Sequence, residues 1–139
     1  MLKPVACVSL PAELRRDLLR WSAEALPAEA CGVLVGERQG ARLRTRRVML
    51  GRNIAEADQA SAFELHPEDI VAASVAAERA GLEVVGIWHS HPAGPAEPSR
   101  ADLRGVWEGW VSMIVGLDAA RGTELRAWRT ADALSLIHI

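Results

Sequence analysis

Two histidines and an aspartate stand at spacings that suit a divalent metal. His89 and His91 are separated by one residue, at the end of the largely apolar run Leu82-Glu83-Val84-Val85-Gly86-Ile87-Trp88. Alternate side chains of an extended strand share a face, so both imidazoles project together. Asp102 lies eleven residues beyond His91, in Ser99-Arg100-Ala101-Asp102, where a helix begins. The connection holds Pro92, Gly94, Pro95 and Pro98, and can fold the helix start back beside the histidines. Two imidazoles and one carboxylate are a three-ligand set for catalytic Zn2+, with the fourth position open to water. Each piece also has a plainer reading. A His-x-His pair is more often a hydrogen-bonded or surface feature. Ser99 to Asp102 has the form of a capping box, with serine at the N-cap and an acidic residue at N3. On these residues alone both readings stay open.

Around these residues the chain reads as alternating short elements. Residues 11–26 form a helix, with Pro11 in its first turn and Leu14, Leu18, Trp21 and Ala25 at helical spacing; Pro27 closes it. Cys31-Gly32-Val33-Leu34-Val35-Gly36 is an apolar strand, followed by a turn at Gln39-Gly40. A strand over residues 41–50 sets Arg42, Arg44 and Arg46 on one face. That face is either solvated and edge-protecting or a docking patch for an acidic partner. Residues 51–65 are irregular and form a candidate flap. A second helix has Pro67 in its first turn, Glu68 and Asp69 near its positive end, and Gly81 as its stop. The strand carrying His89 and His91 follows, with Trp88 on the opposite, core-facing side. A third helix begins near Ser99, and Leu103, Val106, Trp107 and Trp110 are read as its apolar stripe. Residues 110–118, 124–130 and 133–139 are three further strands. No regular βαβ rhythm appears, so the expected fold class is α+β, a mixed, largely antiparallel sheet flanked by helices.

Length and composition set outer bounds. The 139 residues fit one domain, taken as residues 1–139. Half of them are hydrophobic and 24% charged, an ordinary globular balance. A net charge of -2 gives no electrostatic reason to expect nucleic acid as a partner. No run of eighteen apolar residues is present, and the N-terminal stretch, broken by Pro4 and Pro11, does not read as a signal peptide. No membrane association is therefore expected. Cys7 and Cys31 form no CxxC pair, and free thiols in a reducing cytoplasm are the simplest reading.

Taken together, His89-Ser90-His91-Pro92, then Ser99 after seven residues that follow His91, and Asp102 three further on, closely resemble the signature of the JAMM/MPN family. That family also carries a glutamate just before a small apolar strand. Glu29, in Pro27-Ala28-Glu29-Ala30-Cys31-Gly32, takes that place. Asn53, Phe63 and His66-Pro67-Glu68 are softer matches, and the likeness runs through nearly the whole chain. The resemblance implies a cytidine-deaminase-like α+β fold and a zinc metallopeptidase. His89, His91 and Asp102 would bind Zn2+. Glu29 would act as general base, and Ser99 would donate to the oxyanion. Ser90 would orient the loop. The chain looks like the minimal prokaryotic form, whose implied substrate is a small β-grasp ubiquitin-like or sulfur-carrier protein cleaved at its Gly-Gly C-terminus. Two other readings belong to the same resemblance: a non-catalytic MPN scaffold and a RadC-like protein associated with DNA repair. The presence of Glu29 and Ser99 beside the three metal-site residues favours the enzyme.

Overall fold

A computed structural model describes residues 4–104, 109–130 and 134–139. Along the chain run β1 (Cys7–Ser9), α1 (Ala12–Ala25), β2 (Cys31–Gln39), β3 (Arg42–Leu50), α2 (Pro67–Arg79), β4 (Glu83–His91), α3 (Arg100–Arg104), β5 (Val111–Asp118), β6 (Gly122–Thr130) and β7 (Leu134–Ile137). Among the described residues the strands form a seven-stranded sheet in the order β1-β3-β2-β4-β5-β6-β7. The β1/β3 and β4/β5 pairs are parallel and the rest antiparallel. The expected mixed, largely antiparallel α+β sheet is what is found. No described helix is long and apolar enough to cross a membrane.

The helices take opposite faces of the sheet. α1 lies against β3 and β5, while α2 lies against β2 and β4. Strand alternation explains the split. Leu34, Leu43, Trp88, Met113 and Val115 join Leu18 of α1 in one cluster. Val33, Val35 and Ile87 join Ala73 and Ala77 of α2 in the other. Trp88 is fully buried; its indole N–H donates to Met49 O at 3.1 Å and its ring stacks on Trp21. Gly32, opposite Trp88 in β2, leaves room for that indole, because a Cβ there would strike Met49 O and the Trp88 ring.

Three sequence expectations change. A bulge between Val35 and Gly36 shifts the β2/β3 register, leaving Arg46 as the extra residue and Arg47 exposed as well. The start of β3 is not a free edge, since β1 pairs with it from Arg42 to Arg44. Trp110 is not on α3; it immediately precedes β5. Val106 and Trp107 lie outside the described residues, as does the side chain of Leu103.

Candidate metal centre

His89 and His91 close β4 on the face that Ile87 shares with α2. Between them Ser90 is fully buried, and it acts as a clasp. Its Oγ accepts from Ala30 N at 2.8 Å, and its own N–H donates to Ala30 O at 2.9 Å. The start of β2 is thereby fastened to the histidine strand, with Glu29 one residue before the fastening. Glu29 is held on its other side too. Its N–H donates to Gln59 O at 2.7 Å, and its carbonyl accepts from Asn53 Nδ2 at 3.1 Å. Asn53 uses its whole amide: Nδ2 also donates to Ala62 O, and Oδ1 accepts from Ala55 N and Glu64 N. Residues 51–65 are irregular as expected, but they fold around Asn53 as a brace for Glu29.

Asp102 comes from the other side of the histidines. The capping box expected at Ser99 is present: Ser99 Oγ accepts from Asp102 N at 3.1 Å, and Asp102 Oδ2 accepts from Ser99 N at 2.8 Å. The same Oδ2 lies 3.0 Å from His91 Nε2 and 3.2 Å from His89 Nε2. Cap and candidate ligand are thus one carboxylate. The connecting residues 92–98 are held from beneath. Pro95 O accepts from His91 Nδ1 at 2.8 Å, and Ala96 O accepts from the Trp128 indole at 3.0 Å. Gly116 of β5 lets this loop lie flat, because a Cβ would collide with the backbone of residues 94–96.

His89 Nε2 and His91 Nε2 are 3.2 Å apart, and Glu29 Oε1 is 4.0 Å from His91 Nε2. Donor atoms of Glu29, His89 and His91 all lie within 4.8 Å of one another, a cluster able to hold a metal ion. Tetrahedral ligands about 2.0–2.1 Å from zinc sit roughly 3.3 Å from each other, close to the spacings among His89, His91 and Asp102. Pro95 O can only accept, so His91 Nδ1 carries a proton, which leaves Nε2 as the atom that would face a metal. His89 Nδ1 is buried without a hydrogen bond among the described residues; stacking on Phe63, with ring centroids 4.3 Å apart, orients that ring instead.

Residues 11–131 match the family described as prokaryotic homologs of the JAB domain. The chain belongs to this family. Two relatives named desampylase are similar to this JAB-family chain. The one from Haloferax volcanii is 36% identical over 80% of this chain and 81% of its own length. The one from Pyrococcus furiosus is 37% identical over 72% and 65%. A Thermus thermophilus protein named "Probable TtuB-protein conjugate cleaving protease" is 35% identical over 78% and 67%. The solution structure of a Desulfitobacterium hafniense protein superposes with a TM-score of 0.85 at 27% identity, covering 95% of this chain and 90% of that one.

In this JAB-family site the two acids are driven in opposite directions. Burial raises the Glu29 carboxyl to about 7, partly opposed by the His91 charge. Burial also works against ionised Asp102, but hydrogen bonds from His89, His91 and the Ser99 N–H outweigh it and hold that carboxyl well below the usual range. Burial lowers His89, keeping it neutral. Burial opposes the His91 charge too, but hydrogen bonds to Asp102 and Pro95 outweigh it and raise that ring. Cys31, two residues beyond Glu29 and fully buried, is pushed up to about 12 by burial first, which excludes it as a thiolate nucleophile. An apolar cavity of about 470 Å³ borders His89 and Asp102, lined also by Phe63, Leu65, Ile70 and Trp110.

Glu29, His89, His91, Ser99 and Asp102, all named from the sequence, are brought together here. The sequence reading missed Gln59, Gly116 and Trp128, which position them. None sits in a local pattern: Trp128 reaches Ala96 from 32 residues away.

Proposed function

We propose that this chain is a zinc-dependent peptidase or isopeptidase that hydrolyses the amide at the Gly-Gly C-terminus of a small β-grasp ubiquitin-like or sulfur-carrier protein, working as a single cytoplasmic domain. The observation that carries this reading is the meeting of three donors, His89 Nε2, His91 Nε2 and Asp102 Oδ2, at 3.0–3.2 Å, with Glu29 Oε1 standing 4.0 Å off. The relatives' names support the substrate class, and the two free cysteines accord with a reducing compartment.

His89, His91 and Asp102 would hold Zn2+, and Glu29 would stay outside the ligand set. Bound Zn2+ supplies Lewis acidity and lowers the pKa of water from about 15.7 toward roughly 7. Glu29, buried with its Oε1 4.0 Å from His91 Nε2, is placed to take a proton from the attacking water and pass it to the departing amine. The Ser99 N–H donates to Asp102 Oδ2 and favours the ionised carboxylate, the form that would offer a metal a charged oxygen. Ser99 Oγ accepts the Asp102 N–H, which leaves its own O–H hydrogen free to donate to the oxyanion. The apolar cavity beside His89 and Asp102 takes the acyl side, where the carrier tail arrives.

The test is a β-grasp carrier extended beyond its Gly-Gly, incubated with purified protein. Wild type should release the extension, a chelator should stop it, and added Zn2+ should restore it. Glu29→Gln should keep zinc by elemental analysis and lose turnover. Cleavage by Glu29→Gln at the wild-type rate would remove Glu29 from the mechanism.

A further inference from the structure

Ser112 is only 3% exposed, yet it lines the apolar cavity beside His89 and Asp102. Strand register turns its side chain toward that space. Ser112 pairs with Ile87 in the parallel β4/β5 ladder, and Ile87 packs on the α2 side of the sheet and lines the same cavity. The residues on either side of it, Val111 and Met113, belong to the cluster on the α1 side. Ser112 Oγ makes no hydrogen bond to another described residue. Among the described lining residues it is the one hydroxyl, in a wall built largely from side chains such as Phe63, Leu65, Ile70 and Ile87. We infer that Ser112 is a specificity-determining residue, whose Oγ accepts the backbone N–H of the substrate residue that precedes Gly-Gly; this rests on the peptidase reading above.

The cost of burying a peptide sets the need. A tail that enters an apolar cavity loses the water on its backbone, and a buried N–H without an acceptor is the costlier orphan. The apolar side chains of the wall offer no acceptor. Asp102 Oδ2 already takes the Ser99 N–H and faces both histidines. Ser112 Oγ is buried and uncommitted. Register sets which substrate residue it meets. His89 pairs with Ile114 and Ile87 with Ser112, so Ser112 stands two residues below the level of His89, on the adjacent strand. Two strand residues span about 7 Å and neighbouring strands lie about 4.8 Å apart, which puts Ser112 roughly 8 Å from the His89 backbone. An extended tail advances about 3.4 Å per residue. Two residues back from a scissile carbonyl at the metal site is the residue before Gly-Gly. A site that hydrogen-bonds a substrate N–H rejects an analogue lacking it more strongly than an apolar wall rejects a change of size.

The test uses a pentapeptide ending in Leu-Ala-Gly-Gly and its twin, in which an ester oxygen replaces the alanine N–H. Both are titrated into the zinc-loaded protein. Wild type should bind the amide peptide about tenfold more tightly, the scale of one buried hydrogen bond. Ser112→Ala should bind the amide peptide about tenfold more weakly and the ester peptide as before, so that the preference vanishes. A merely structural serine would weaken both peptides alike. That result overturns the inference, as does a wild type that binds the two peptides equally or binds neither at millimolar concentration. Turnover failing on every β-grasp carrier sinks the peptidase reading, whereas the comparison of amide with ester judges Ser112 by itself.

Discussion

Glu29 and Asp102 approach the same pair of imidazoles from opposite sides, and they are supported in opposite ways. Glu29 is fixed through its backbone. Gln59, Asn53 and the Ser90 clasp hold the main chain around it, and its side chain is buried with His91 Nε2 4.0 Å away. Asp102 is fixed through its side chain, which takes the Ser99 N–H and faces both histidines. The difference separates two carboxyl groups that would otherwise titrate alike. One is raised to about 7 and the other is held low. Pairs whose surroundings push their pKa values apart divide into acid–base and charge-holding roles, and here the division follows from which part of each residue the protein grips.

The largest effects should come from exchanging those roles. Asp102→Asn removes the charge that balances the metal and weakens the cap, so zinc should be lost along with activity. Glu29→Gln should leave zinc content intact and lower kcat by roughly 100- to 10,000-fold, the range for losing a general acid–base group. Elemental analysis beside single-turnover rates separates the two. Equal zinc loss in both variants would erase the distinction drawn between the acids.

Next in size are the two serines that serve the two sides. Ser99→Ala removes the free O–H and one half of the capping box. Loss of the oxyanion donor proposed for Ser99 should cost about 3 kcal/mol of barrier, with a smaller stability loss of about 1 kcal/mol from the cap. Ser90→Ala removes only the acceptor for Ala30 N, in a buried setting, and should cost about 1–3 kcal/mol of stability. Because Ser90 positions Glu29 without touching substrate, kcat should fall while zinc affinity holds. Zinc affinity falling in step with kcat in Ser90→Ala would assign the serine to the histidines instead.

Much of this was legible in the sequence because the informative signals are local. Period-two alternation marks β4 and puts Trp88 opposite His89, and proline and glycine mark the helix ends. The His89-Ser90-His91-Pro92 and Ser99–Asp102 spacing carries the site. What escaped depends on chain segments meeting after folding. The bulge at Val35 and Gly36, the passage of the Trp128 indole to Ala96, and the space that Gly116 leaves for residues 94–96 are set by sheet register and strand order. No residue type in those segments announces them. The arginines of β3 show the same limit, since alternation placed Arg42, Arg44 and Arg46 outward but could not show the bulge opposite Arg46 or that β1 pairs with the first three residues of that strand.

The smallest effect expected is on the pH dependence of folding in the metal-free protein, and here the two acids should pull against each other. The folded pKa of Glu29 is raised from 4.5 to about 7, so its favourable contribution is complete below 4.5 and is lost as pH rises through about 7. Asp102 is lowered from 3.8, so its contribution is present above that value and is lost as pH falls below it. Neutral His89 adds a loss on acidification that begins near its ordinary value of 6.5. Glu29→Gln deletes only the first of these. Compared with that variant, chelator-treated wild type should lose on the order of 2 kcal/mol of stability between pH 4.5 and about 7. Urea unfolding at several pH values measures this directly. Parallel stability curves for the two proteins would mean that the Glu29 socket is wetter than its burial implies, and the contrast with Asp102 would then rest on geometry alone.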